Sequence, residues 1–158
     1  MSFRSALGES GFDTRRPILQ AGIGSLELGH THHTSNSSTI ELLTALAEHP
    51  KRLYGVAYDA RSEVLVAVGV SEALYLAQTA VLDPGDEVIV PMPCFVAYQP
   101  EAVFPGGTPV PIETTVDDQL RVSAESLEAQ ITHSTKALLI SYPNNPTGTV
   151  MWREGLLA

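Results

Sequence analysis

Residues 63–93 read EVLVAVGVSEALYLAQTAVLDPGDEVIVPMP, and their rhythm decides the fold. Glu63–Val68 (EVLVAV) is a short run rich in β-branched residues that ends at Gly69, the pattern of a strand. Ser71–Leu82 (SEALYLAQTAVL) then carries apolar residues at helical spacing behind a serine of the capping type. Asp83-Pro84-Gly85-Asp86 is a turn by composition. The apolar run Glu87–Val90 reads as a second strand, closed by the proline-punctuated loop Pro91–Pro93. Strand, helix and strand joined this closely make a unit whose strands run parallel.

Working outward, the alternation continues. Pro100 suits the first turn of a helix running to about Phe104, stopped by Pro105-Gly106-Gly107. Thr108–Glu113 is a strand whose two prolines, Pro109 and Pro111, restrict it to a sheet edge. Ser123-Ala124-Glu125-Ser126 opens a helix to about Ile131, and Lys136–Tyr142 (KALLISY) is a buried-type strand running into PNNPTG. Toward the other end, Ile40, Leu42, Leu43, Leu46 and Ala47 fall at helical spacing from Thr39 to about Glu48. Pro50 is expected to bend or end that helix by removing an amide donor. Residues 1–38 show no long period and read as an irregular arm with one short helix near Ile18–Leu26. The fold expected is α/β: a mostly parallel sheet covered by helices on both faces, preceded by an irregular N-terminal arm. Residues 1–50 hold the arm and first helices, and residues 51–158 the sheet domain.

Composition narrows the function classes. A chain of 158 residues has room for one sizeable hydrophobic core, and 44% hydrophobic with 17% charged residues is far from a disordered composition. Nine Lys and Arg against eighteen Asp and Glu give a formal net charge of −9, which repels phosphate backbones and anionic lipid surfaces. No nucleic acid and no membrane is expected as a partner. No apolar run approaches the roughly 18 residues of a membrane span, and the first ten residues lack the apolar stretch of a signal peptide. The single cysteine, Cys94, builds neither a disulfide framework nor a cysteine zinc cage, and the cytoplasm is the expected compartment.

In parallel sheets ligands bind beyond the carboxyl ends of the strands, which directs attention to Gly69–Glu72, Pro91–Phe95 and Pro143–Gly148. At Gly69-Val70-Ser71 free amides and the positive end of a helix dipole would hold a phosphate, with the Ser71 hydroxyl as a further donor; an ordinary helix cap is the alternative. Phe95 would present a flat apolar face to an aromatic ligand, or else serve as core. The paired asparagines of Asn144-Asn145-Pro146-Thr147-Gly148 would place a side-chain amide in the crevice, or else build a turn. The cluster His30, His32 and His33 has no spaced carboxylate or cysteine to complete a metal site, so no metal is assigned. Cys94 has no assignable histidine to activate it as a nucleophile. Gly22-Ile23-Gly24 lacks the third glycine and the preceding strand of a dinucleotide loop.

Taken together, these segments resemble the class I and II pyridoxal-phosphate aminotransferases of the aspartate aminotransferase type, across nearly the whole chain. The most specific stretch is TKALLISYPNNPTG, Thr135 to Gly148. EVLVAVGVSEAL, LDPGDEVIVPMPCFVAY and the opening LGESGFDT support it in the family's order. The resemblance implies the N-terminal portion of a fold type I enzyme: a partial three-layer αβα sandwich, part of the pyridoxal-phosphate-binding large domain. It implies pyridoxal 5'-phosphate as cofactor, an amino acid and a 2-oxo acid as substrates, and a homodimer in the intact family. Val70 and Ser71, with the amide of Glu72, would form the phosphate cup. Phe95 would stack on the pyridine ring, and Asn145 would hydrogen-bond the ring hydroxyl near the substrate carboxylate. Gly8 would be the backbone position that closes over the substrate, with Phe95 and Asn145 as its other contacts.

The sequence also departs from the pattern. His33 stands where the family has the tyrosine that reaches the neighbouring subunit's phosphate site, and Ser10, Gly11 and Arg15 replace Pro, Asp and Pro. Pyridoxal chemistry needs a lysine to hold the cofactor covalently and to move a proton. The only lysines are Lys51, beside Pro50, and Lys136, at the strand end opposite the crevice, so no catalytic residue is assigned. The family's lysine, its pyridine-pairing aspartate and its binding arginines lie beyond the matched segment. The expectation is a truncated aminotransferase-family chain, inactive alone. A non-catalytic remnant acting as a binding or assembly partner, and a fragment of a fold-related pyridoxal-phosphate lyase, are the alternatives. In the family's strand order Val64–Val68 does not neighbour Ala137–Tyr142, so both are expected to keep unpaired backbone groups.

Overall fold

The computed structural model describes residues 12–157, and the chain divides into two compact units, Met1–Leu65 and Val66–Ala158. The first unit holds helices α1 (Arg16–Glu27) and α2 (Ile40–Tyr54). Thr39 caps α2 by accepting a hydrogen bond from Leu42 N at 3.4 Å, and Gly55 ends it in the left-handed conformation at φ +73°. Pro50 does not stop α2 as expected; the helix continues another turn to Tyr54. An interior proline forfeits one rung and costs about 3 kcal/mol. Two capped ends, with Leu43 and Ala47 buried and Lys51 and Arg52 in the last turn, offset that loss.

The second unit contains α3 (Gly69–Val81), β1 (Glu87–Met92), α4 (Tyr98–Val103), β2 (Thr108–Glu113), α5 (Ala124–Glu128), β3 (Thr135–Leu138) and α6 (Arg153–Leu157). Its three strands are parallel in the order β2-β1-β3. The ladder explains each placement. Even-numbered groups of β1 and its flanks face β2: Thr108 N–H donates to Asp86 O at 2.8 Å and Thr114 N–H to Met92 O at 3.2 Å. Pro109 and Pro111 therefore turn their missing donors away from β1, and β2 is the edge strand their presence demands. Odd-numbered groups face β3, and Leu139 N–H donates to Ile89 O at 2.9 Å. The next rung of a parallel ladder would need an N–H on Pro91, which has none. This is why β3 stops at Leu138 rather than running on to Tyr142.

Two further expectations are corrected. Glu63–Val68 forms no strand: among the described residues it has no ladder partner, the division between the units falls within it, and Val68 is 88% exposed. A β-branched run becomes a strand only where a neighbour takes its backbone groups. Helix α3 begins at Gly69, so Ser71 is its third residue and not its cap.

Alternation along the strands builds two layers. Val88 and Val90 face one side and pack with Leu82, Tyr98 and Ala102, joined by Ala137 and Leu139. Helix α4 packs on β1 and β2 at this face, and α3 packs on α4 with its Leu74 against the cluster. On the other face, Leu138 and Ile140 line a groove of about 130 Å³ with Leu127 of α5 and Leu156 of α6. The α/β layering is thus present around a small parallel sheet. At the lower end, Gly106 and Gly107 return the chain from α4 into β2 beneath Pro84 and Leu82. Two polar side chains are buried here, Gln78 on α3 and Glu101 on α4. Among the described residues, both amide atoms of Gln78 and Oε2 of Glu101 have no hydrogen-bond partner.

Three substitutions test this packing. A Cβ on Gly107 would lie 2.8 Å from Ala102 O and 3.1 Å from Leu82 Cδ1, so Gly107→Ala should destabilise the chain by about 1–3 kcal/mol in urea unfolding. Gly22→Ala, in α1 with nothing within 4 Å, should be neutral or stabilising by up to about 1 kcal/mol. Burial raises the Glu101 carboxyl pKa, so the unfolded chain releases this proton first. Its contribution to stability is complete below the ordinary glutamate range and is lost as pH rises through the raised folded value. Urea midpoints measured across that window should decline more steeply in the parent than in Glu101→Gln; parallel profiles would contradict this.

Candidate functional site

Residues 82–86 link α3 to β1, so α3 runs back along the sheet and its N-terminus lies at the end where β1 and β3 finish. The junctions Pro91–Phe95 and Pro143–Gly148 meet there through the bond from Asn144 Nδ2 to Pro93 O, and the topology puts Gly69–Glu72 toward the same end of the sheet. The chain enters α3 through Gly69 at φ +83°, where a Cβ would meet nothing within 4 Å; the requirement for glycine is conformational. The first amides of a helix have no intrahelical partners. Here Gly69 N–H donates to Ala67 O at 2.9 Å and Val68 N–H to the Glu72 carboxylate, which leaves the amides of Val70 and Ser71. Val70, Ser71 and Glu72 are exposed. Two open amides, a hydroxyl and a helix dipole are the donor set an oxyanion takes. Glu72 also contributes its side chain, whose carboxylate accepts the Val68 N–H.

At the second junction, Met92 O accepts from Thr114 Oγ1 at 2.6 Å, which fixes the end of β1 against β2. Phe95 is half-buried and meets Tyr98 edge to face, with ring centroids 5.7 Å apart, so a core side chain anchors the ring while leaving part of it open. Gln99 Nε2 donates to Met92 Sδ at 3.0 Å and Cys94 Sγ donates to the same sulfur at 3.4 Å. Burial pushes the Cys94 thiol pKa up, the opposite of what a nucleophilic cysteine needs.

The third junction separates the roles of the two asparagines. Asn145 is exposed, and no side-chain hydrogen bond holds it among the described residues. Asn144 is half-buried and fully engaged: Nδ2 donates to Pro93 O at 3.2 Å, and Oδ1 accepts from Thr147 N at 3.2 Å and from Thr147 Oγ1 at 2.9 Å. Its backbone closes the turn, with Asn144 N donating to Thr149 O at 2.7 Å and Gly148 N to Asn144 O at 2.8 Å. The sequence reading assigned nothing to Asn144 or Thr147. The signal was the spacing of three between an asparagine and a threonine, which suits a side-chain turn. Pro91, Cys94, Tyr98, Leu139, Tyr142 and Asn144 border a cleft of about 10 Å³, room for a single water, so these two loops form a tight seam.

The remaining candidates lie elsewhere. Gly8 falls outside the described residues. His30, His32 and His33 are exposed in the first unit and line an open concavity with Thr39 and Glu41, and among the described residues no three metal-type side chains gather. Lys136 is exposed near the start of β3, 3.8 Å from Asp86, and Lys51 is exposed in the last turn of α2. No helix among the described residues is long and apolar enough to cross a membrane.

Comparison with known proteins points the same way. The sequence matches the family described as aminotransferase class I and II over residues 6–158. It is 35% identical over 150 residues to aromatic-amino-acid aminotransferase 2 of Thermococcus litoralis and 36% identical over 150 residues to the aspartate aminotransferase of Pyrococcus abyssi, in each case covering 95% of this chain. The crystal structure of the aromatic aminotransferase from Pyrococcus horikoshii OT3 superimposes with a TM-score of 0.92 at 36% identity, over 95% of this chain and 40% of that one. The chain spans 39% of the length of each of the two relatives. By the match along nearly its whole length and by the shared α/β fold, this chain belongs to the class I and II aminotransferase family.

Proposed function

We propose that the second unit is the pyridoxal-phosphate-binding part of a transaminase, whose whole-protein reaction moves an amino group between an amino acid and a 2-oxo acid. What supports this reading is the family match over residues 6–158, together with the chemistry of three groups at the strand-end junctions: the open amides of Val70 and Ser71, the half-buried ring of Phe95 and the exposed amide of Asn145. They fit the cofactor's phosphate, its flat ring and its ring hydroxyl. When bound, pyridoxal phosphate supplies an electron sink for bonds to the amino acid's α-carbon.

The chain's residues bind and orient. The amides of Val70, Ser71 and Glu72, with Ser71 Oγ–H, hold the phosphate at the positive end of α3. Phe95 covers one ring face and excludes water there. Asn145 donates from its amide to the ring oxygen, holding the hydroxyl side toward the sheet. The substrate side is assigned to Gly8, Phe95 and Asn145, and the working assembly to a homodimer in the cytoplasm. The one lysine of the second unit stands at the opposite end of the sheet, where Lys136 pairs with Asp86 near the start of β3. The chain alone therefore binds the cofactor without a covalent bond and does not turn over.

Titration of the chain with pyridoxal phosphate, followed by the cofactor's absorption and the quenching of protein fluorescence, tests this. Saturable binding is expected, weakened about tenfold or more by Ser71→Ala and by Asn145→Ala, the loss of one hydrogen bond to a charged or polar partner. After borohydride reduction, mass spectrometry should find no stoichiometric pyridoxyl adduct. An adduct on Lys51 or Lys136, or no binding at all, would overturn the proposal.

A further inference from the structure

We infer that Asn144 is a positioning residue: its side-chain amide ties the loop that presents Phe95 to the loop that presents Asn145. The inference deepens the proposed cofactor site and rests on it for its functional consequence. Its structural content stands on the ladder. Past the Leu139-to-Ile89 rung, Pro91 offers no N–H, and β1 and β3 lose their backbone connection just before the residues that matter. Among the described residues, the bond from Asn144 Nδ2 to Pro93 O is the only hydrogen bond joining residues 91–97 to residues 140–150. Pro93 lies two positions before Phe95, and Asn144 immediately precedes Asn145.

The amide's orientation is dictated by its partners. Pro93 O can only accept, so it must face the nitrogen; Thr147 N can only donate, so it must face the oxygen. Thr147 Oγ1 takes the second lone pair of that oxygen. An aspartate has the same shape but accepts on both sides. Asn144→Asp would keep the bonds from Thr147 and replace the bond to Pro93 with a contact between two oxygens, which separates the loop-to-loop tie from the turn.

Cys94 reports on this tie. It is the only cysteine in the chain, it follows Pro93, and it shares the one-water cleft with Asn144. The experiment measures the reaction of Cys94 with a disulfide reagent such as dithiobis(nitrobenzoate) across pH, in the full chain, beside pyridoxal-phosphate affinity and the urea midpoint. In Asn144→Asp and Asn144→Ala the Cys94 rate should rise about fivefold, from the loss of one bridging hydrogen bond. The pH profile should move toward that of an ordinary thiol, and cofactor affinity should fall by about the same factor. Thr147→Val, which loosens the turn but keeps the Pro93 bond, should leave the Cys94 rate within about twofold of the parent. An unchanged Cys94 rate in both Asn144 variants would overturn the inference. A raised rate in a chain whose parent form binds no pyridoxal phosphate would uphold the tie and overturn the cofactor reading.

Discussion

Strand β1 is held on both sides by parallel ladders, and each backbone group along it has a fixed direction. Even positions give their hydrogen bonds to β2 and odd positions to β3, so a proline's effect depends on where it falls. Pro109 and Pro111 cost nothing because their missing donors face away from the sheet. Pro91 is different. It faces β3 and ends that ladder after Ile89, so β3 passes into its loop while β1 stays paired with β2 through Met92. The opening at the carboxyl edge of the sheet is thus written into one residue, and the hydrophobic packing of Val88, Val90 and Leu139 beneath it keeps the base of the opening rigid.

The proposed site is assembled from parts with separate physical causes. The left-handed Gly69 starts α3 early enough that Val70 and Ser71 keep open amides. Tyr98, itself in the core, holds Phe95 by its edge. Asn144 is consumed by structure so that Asn145 can remain free. The electrostatics are mixed: the chain carries a net charge of −9, and the Glu72 carboxylate takes the Val68 amide just before α3. An anion would therefore be held by local donors at short range and not drawn in by the field of the molecule.

Much of this was legible in the sequence because it depends on local chemistry. The turn at Asp83–Asp86, the edge character of Thr108–Glu113, the serine-capped α5 and the three junctions follow from residue type and spacing. The misreadings come from partners that a sequence does not display. Glu63–Val68 has the composition of a strand, but strand formation needs a neighbour, and none takes its backbone groups among the described residues. Lys136–Tyr142 looked like one long strand because the residue that stops it, Pro91, belongs to a different segment. Pro50 sits inside α2 because caps and burial at other positions outweigh its lost rung. At the site, residue type pointed to the asparagine pair and the resemblance to Asn145; the bracing role of Asn144 shows only in the direction of its hydrogen bonds.

The central claim is that the three junctions form one binding surface for a phosphorylated aromatic cofactor. Hydrogen exchange of the chain with and without pyridoxal phosphate tests it most directly, because it reads each amide in place. The account predicts that the cofactor slows exchange at Val70, Ser71 and the segments around Phe95 and Asn145, and leaves α2 unchanged. Protection centred on α2 around Lys51, or protection at one junction without the other two, would contradict it.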